Sequence, residues 1–330
     1  MDNIKKEKLN NCLRVMYLKE IIFEHTDEDH FLSICEILDL LESDYGIITT
    51  RKTLYEDIDM LIKAGYDIEC VRGQKNKYHV LSREFDNAEI RILIDSVESL
   101  QSLPNAQAKT LIRKLSKLGG PSADFLLQNV NVDGRPRSDN GQIYYIIDAI
   151  YKAILRKKKI AFKYYEYLTS GKKRLKNNGK DYEISPYRLV SNNDFYYLLG
   201  YSEELDKVTA FRVDRISGVP SILKRNCIPE PESIYNNSYI NESFHMKSGE
   251  AAEVILVFKS DVMDAMLDRF GQELDITFIG KSECKAKVKV QVNNVFFAWV
   301  FGFEGKVRIS GPMNIQTQYI MMVSREMARL

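Results

Sequence analysis

The 330-residue chain is 45% apolar and 28% charged, with a formal net charge of +1, the balance of an ordinary globular protein. Its length exceeds one hydrophobic core and predicts two or three domains. The near-zero charge excludes a uniformly basic nucleic-acid coat, and the apolar run 296–303 falls far short of the ~20 residues of a membrane helix.

The neutral total hides an asymmetry. Residues 1–83 carry 12 Lys and Arg against 16 Asp and Glu, a net of −4, whereas residues 156–225 carry 16 against 8, a net of +8. Residues 250–330 balance at 10 against 10. The middle of the chain is therefore where anions are attracted. Five dispersed cysteines (Cys12, Cys35, Cys70, Cys227, Cys284) without a CxxC pair fit buried thiols in a reducing compartment. The polar start MDNIKKEKLNN lacks the apolar core of a signal peptide, so a cytoplasmic location is expected.

Leu9, Leu13 and Met16 recur at helical spacing and predict a first helix over about 6–23. Ile34, Ile37, Leu38 and Leu41 mark a second, closed at Gly46. Thr49 or Thr50 caps a third, with Leu54, Ile58, Leu61 and Ile62 as its buried stripe and Gly65 as its stop. Segments 67–72 and 77–81 read as two strands around the turn 73–76. Three helices and a hairpin make a winged helix-turn-helix over 1–83. Its third helix begins with Thr50, Arg51, Lys52, Thr53 and Tyr55, the residue types a recognition helix presents to base edges and phosphates. The wing supplies Arg72, Lys75 and Lys77. The plain alternative is a charged, solvated helix face, and the net of −4 requires any basic face to be concentrated. Asp27-Glu28-Asp29 reads as an acidic helix start or exposed turn.

Residues 84–141 are expected to be a helical linker region: a helix over 86–103 with Ile90, Leu93, Ile94 and Val97 inward, another over 106–118, then an aperiodic stretch 128–140. A helix over 142–156 buries Ile143, Ile146, Ile147, Ile150 and Ile154. Five short strands follow, at about 159–166, 181–190, 194–201, 208–214 and 216–222, with the basic loop 172–180 between the first two. They predict a small SH3- or Sm-like β-barrel. Alternation puts Phe195, Tyr197 and Leu199 on one strand face and Tyr196 and Leu198 on the other, and separates Phe211 and Val213 from Arg212 and Asp214. Arg212 is also placed to pair with Asp214 or Glu183 at the surface. After a linker at 226–249, residues 250–330 follow the order βαββαβ plus a helix, a ferredoxin-like αβ module.

The run Ser185-Pro186-Tyr187-Arg188-Leu189-Val190, then DFYYLLGY (194–201) and TAFRVDRI (209–216), resembles the WYL domain of bacterial regulators. Tyr196-Tyr197-Leu198 stand where the family has Trp-Tyr-Leu. The stretch ITTRKTLYEDIDMLIKAGYDI resembles the DeoR-type winged helix that often precedes such domains. Trp299, Gly302 and Pro312 resemble the C-terminal (WCX-like) extension often fused to them. The resemblance implies a multidomain α+β transcriptional regulator: a DNA-binding head, a ligand-sensing barrel over 142–225, and a C-terminal αβ domain. It implies a ligand site among Ser185, Tyr187, Arg188, Tyr196, Arg212 and Arg215. Arginine forks and aromatic faces there suit a nucleotide, a single-stranded nucleic-acid fragment or another anion. The expected partners are double-stranded DNA, that effector and a second copy of the chain, with no membrane. The barrel tyrosines are equally open to being core.

No GxxxxGK[ST], GxGxxG after a strand, HExxH or GxSxG occurs, and His25, His30, His79 and His245 are dispersed. No catalytic residue, metal site or cofactor is expected. The competing reading is a nucleic-acid-binding accessory protein of a phage-defence or CRISPR system, acting through the barrel.

Overall fold

A computed structural model describes residues 2–128, 130–232, 249–280 and 282–329. Most of the linker expected at 226–249 lies outside the described residues. The chain divides into two compact units, Met1–Asp139 and Asn140–Leu330.

The first unit opens with α1 (Asp2–His25), β1 (Leu32–Ser33), α2 (Ile34–Tyr45), α3 (Arg51–Lys63), β2 (Ile68–Val71) and β3 (Lys77–Val80). The strands form one antiparallel sheet in the order β1-β3-β2. Local chemistry sets the helix limits. Ser33 and Glu36 form a capping box at the start of α2, and Gly46 ends it at φ 64°, a conformation glycine adopts without a Cβ penalty. The Thr50 hydroxyl accepts the Thr53 N–H at 3.2 Å to start α3. Leu18, Ile21, Ile22, Ile37, Leu41, Leu54, Ile58 and Tyr78 share the core. In α1 the buried stripe thus lies C-terminal to the expected one. Met16 is 65% exposed, Leu13 is half-buried, and the Leu9 side chain lies outside the described ones. Ile62 is likewise exposed. An ion pair that periodicity does not register joins α1 to α3: Arg14 Nε and Nη2 donate to Asp57 at 2.5 and 3.0 Å, with Asp57 buried.

The helices α4 (Asn87–Ser99), α5 (Asn105–Ser116) and the short α6 (Ala123–Leu126) follow. Ile90, Ile94, Val97, Ala108 and Ile112 are buried, while Leu93 is exposed. The aperiodic stretch after them is tied down rather than free. Arg137 donates to the carbonyls of Val132, Leu100, Leu103 and Glu98, a cation on the electronegative C-terminus of α4.

The turn at 27–30 exposes Glu28 and Asp29, but not Asp27. Asp27 is buried and accepts the Ser122 N–H and O–H at 2.9 and 2.7 Å, with His30 Nδ1 at 2.7 Å. Burial alone would raise its pKa, but the bonds from Ser122, His30 and Asp29 hold it well below the ordinary carboxylate range. A depressed folded-state pKa stabilises above the unfolded value, about 3.9, and that stability is lost as pH falls through the folded value. The denaturant midpoint of the first unit should therefore exceed that of Asp27→Asn at neutral pH, and the gap should shrink below about pH 4. A gap constant from neutral to acid pH would contradict this.

The second unit begins with α7 (Ile143–Leu155), then β4 (Lys158–Tyr167), β5 (Lys173–Leu175), β6 (Tyr182–Asn192), β7 (Phe195–Ser202), β8 (Lys207–Arg212) and β9 (Ile216–Asn226). The strands are antiparallel in the order β5-β4-β6-β7-β8, with β9 also on β4. Among the described residues no ladder joins β8 to β9. The sheet is thus an open, curled half-barrel rather than a closed barrel. α7 lies against β4, β6 and β9, with Ile143, Ile146, Ile150, Ile160, Phe162, Ile184, Leu198 and Phe211 buried.

The chain continues as β10 (Glu250–Lys259), α8 (Met263–Phe270), β11 (Ile276–Ile279), β12 (Glu283–Val292), α9 (Asn294–Phe301), β13 (Val307–Gly311) and α10 (Met313–Met327). Its sheet is antiparallel in the order β11-β12-β10-β13. Val254, Leu256, Phe258, Val288, Phe296 and Ile315 belong to one core, and Trp299 packs edge-on to Phe270 and Phe303.

Candidate functional site

The strand β8 was expected to run to residue 214. It ends at Arg212, and Val213–Arg215 form a 3-10 turn before β9. The alternation that would expose Asp214 breaks there. Asp214 is 4% exposed because its carboxylate takes a fork from Arg212: Nε to Oδ1 at 3.0 Å and Nη2 to Oδ2 at 2.7 Å. This pair is shielded, not a surface pair, and Glu183 is paired with Arg225 instead.

Three further contacts fix Arg212. Its backbone N–H donates to the Tyr164 hydroxyl at 3.2 Å. Its guanidinium stacks 3.4 Å from the Phe195 ring centroid, and it stands opposite Tyr197 in the β7–β8 register. Burial pushes the Tyr164 hydroxyl up to about 12, so it stays protonated at neutral pH. The turn itself is anchored from behind. The Asp214 carbonyl accepts from Tyr165 Oη at 3.0 Å and from Asn140 Nδ2 at 3.0 Å. Asn140 Nδ2 also donates to the Ile216 carbonyl at 2.9 Å.

Arg215 differs. Its Nε is buried with no hydrogen-bond partner among the described residues, and its guanidinium carbon lies 6.0 Å from the ring centroid of the exposed Tyr167. An unsatisfied buried donor costs about 1–3 kcal/mol and costs more when charged. The turn therefore carries one guanidinium locked in place and a second whose Nε has no acceptor among the described residues.

The other expected ligand residues do not join this pair. The Ser185 hydroxyl accepts the Ile228 N–H at 3.0 Å, the buried Tyr187 donates to the Pro229 carbonyl at 3.1 Å, and Arg188 Nε meets Glu230 at 3.0 Å. These three hold the segment leaving β9. Tyr196 pairs with Ser191 and points to the face opposite Tyr197 and Arg212. Tyr164 was open to being either a pocket residue or core, and Phe195, Asp214 and Asn140 were not singled out as ligand residues. Strand parity already grouped Phe195 with Tyr197, and a cross-strand pairing of Tyr197 with Arg212 would have added Phe195 to the site.

On the first unit, Arg51, Lys52 and Tyr55 are exposed on the first two turns of α3, beside the Thr50–Thr53 cap. Arg51 Nη2 reaches Cys35 Sγ at 3.1 Å, and the Tyr55 ring lies 6.4 Å from Tyr78 of β3. Arg72, Lys75 and Lys77 are exposed on the hairpin. Lys75 and Lys77 add to the bonds from Ser33 that lower the Glu36 carboxyl, which places both lysines near the start of α2. Glu56 and Asp59 share the exposed side of α3, so its basic residues stand at its two ends, Arg51 and Lys52 in the first turn and Lys63 in the last, with the hairpin lysines beside the first.

Residues 145–220 match the WYL domain, so a WYL domain is present and contains the whole Arg212–Arg215 turn. No curated protein matches the chain. Among solved structures it is similar to proteasome accessory factor B/C (PafBC) of Arthrobacter aurescens, with 18% identity and a TM-score of 0.31. That match covers 93% of this chain and 47% of the other, so the chain spans about half the length of that protein. It is also similar to a CRISPR Cas-related protein, with 13% identity and a TM-score of 0.38 over 75% of this chain and 74% of that one. No helix among the described residues is long and apolar enough to cross a membrane.

Proposed function

We propose that this chain is a DNA-binding transcriptional regulator whose WYL domain binds an anionic ligand at Arg212 and Arg215. The observation that carries the reading is the buried, unpartnered Nε of Arg215 beside a guanidinium held rigid by Asp214 and Phe195. A phosphate or carboxylate oxygen supplies the missing acceptor, and charge-assisted bonds to guanidinium are among the strong ones. Tyr167 lies 6.0 Å from the Arg215 guanidinium and Tyr197 stands opposite Arg212, aromatic surface that suits a nucleotide or a short nucleic-acid fragment. The role proposed for the turn is binding.

The route from site to output starts at Asn140. It bonds the turn through Asp214 and Ile216, and its own side chain accepts the Gln142 N–H at 3.1 Å. A ligand that shifts residues 213–215 thus acts on the residues that lead into α7. In a homodimer this changes how two DNA-reading heads are presented, provided the ligand favours one arrangement, since equal affinity shifts nothing.

The DNA half of the proposal is tested on the head. Lys75→Ala and Lys77→Ala should weaken binding to all duplex sequences alike and lower the salt slope, because wing lysines contact phosphates. Arg51→Ala should relax preference at particular base pairs, at about 1–3 kcal/mol. Binding selections on random duplexes separate the two patterns, and unchanged affinity in all three variants would remove the head from DNA recognition.

A further inference from the structure

The sheet of the C-terminal module covers one face and leaves the other open. Val254, Leu256 and Phe258 of β10 and Ala286, Val288 and Val290 of β12 are buried on the helix side. The intervening residues of β12 are Lys285, Lys287 and Lys289, all exposed. Register sets Lys285 opposite Val257, Lys287 opposite Ile255 and Lys289 opposite Glu253, and Arg308 of β13 opposite Val257 on its other side. Ile255 and Val257 are half-buried. The open face therefore carries a row of three lysines alongside a strip of aliphatic surface, with an arginine on the far side of that strip.

Lysines on sheets commonly protect edge strands against pairing, but β12 is an interior strand, between β11 and β10. Lys287 meets Glu253 at 3.1 Å and Arg308 meets Glu283 at 2.7 Å, whereas Lys285 and Lys289 enter no ion pair among the described residues. Alternate residues of an extended strand stand about 7 Å apart, an interval close to that of successive phosphates along an extended nucleic-acid strand. We propose that this face binds the backbone of single-stranded nucleic acid. The phosphates follow Lys285, Lys287 and Lys289, and the bases lie toward Ile255 and Val257. The row carries no aromatic residue, and Gln291, the next side chain in line on β12, is buried and accepts the Gly249 N–H at 3.3 Å; the contact is to charge and shape, so DNA and RNA and all base compositions bind alike.

The test titrates the full chain with a labelled 20-nucleotide oligothymidylate at several salt concentrations, beside the variant Lys285→Gln/Lys287→Gln/Lys289→Gln. The variant should bind about tenfold or more weakly, with a salt slope lower by about two, because each lost phosphate contact on a single strand contributes about 0.7. Its melting temperature should match that of the wild type, since all three side chains are solvated. Binding of a 5′-mononucleotide, whose single phosphate cannot span the lysine row and which reports on the Arg212–Arg215 turn, should be unchanged, so failure here leaves that site standing and the converse holds. Equal affinity and slope in the two proteins would overturn the proposal. So would tighter binding of a duplex of the same length, or displacement of the oligonucleotide by poly-glutamate at equal charge, which would make the face a dock for acidic protein.

Discussion

Arg212→Ala should destabilise the second unit by about 2–4 kcal/mol, whereas Arg215→Met should leave its stability unchanged or slightly raised. The two arginines are three residues apart and share a turn, yet their surroundings are opposite. Removing Arg212 strands the buried Asp214 carboxylate, and breaking a buried pair on one side costs about 3–5 kcal/mol, reduced here because Arg212 keeps some contact with water. For a unit of this size that is a fall in melting temperature of about 4–16 °C. Arg215→Met keeps an unbranched stem beside Tyr167 and deletes a buried donor that has no acceptor among the described residues. Its expected cost is to ligand binding, about 10- to 150-fold for one or two lost charge-assisted bonds. Calorimetry and anion titration on both variants check this. An unstable Arg215→Met with intact anion binding would reverse the roles assigned to the two residues.

Arg14→Ala should be more damaging to the first unit, at about 3–5 kcal/mol. Asp57 is 1% exposed, and Arg14 supplies both hydrogen bonds that offset its burial. The loss falls on the packing of α1 against α3, so amide exchange in α3 should accelerate and DNA binding should fail even though Arg14 need not touch DNA. The double variant Arg14→Met/Asp57→Leu removes both charges together and should recover most of the stability, as replacing a buried pair by apolar groups of similar volume often does. If Arg14→Ala melted like the wild type, the pair would be incidental to the head.

Much of the element order was legible because period-3.6 and period-2 patterns are local. The third helix was expected between Thr50 and Gly65 and runs Arg51–Lys63; the helix before the half-barrel was expected at 142–156 and runs Ile143–Leu155. What periodicity did not show were the polar contacts between distant segments. Asp27 with Ser122, Arg14 with Asp57, and Arg137 with the end of α4 each join residues 34 to 95 positions apart, and no window of sequence contains both partners. The surroundings of the candidate site were legible only in part for the same reason. Arg212 and Arg215 stand out on a short strand with alternating neighbours. That Asp214 turns inward, ending the strand two residues early, depends on Tyr165 and Asn140 reaching its carbonyl. Tyr187 and Ser185 looked like ligand groups because they sit in the same motif, but the β6–β7 register and the segment 228–230 commit them elsewhere.

The central claim is that an anion held at Arg212 and Arg215 changes how the head binds DNA. The most direct measurement is the affinity of the full chain for a duplex taken from a binding selection, with and without a saturating 5′-phosphorylated tetranucleotide, in the wild type and in Arg215→Met. A coupling of about 5- to 150-fold is expected in the wild type and should vanish in the variant, while the affinity without ligand stays the same. A tetranucleotide that binds the wild type without altering duplex affinity, or a coupling that persists in Arg215→Met, would contradict it.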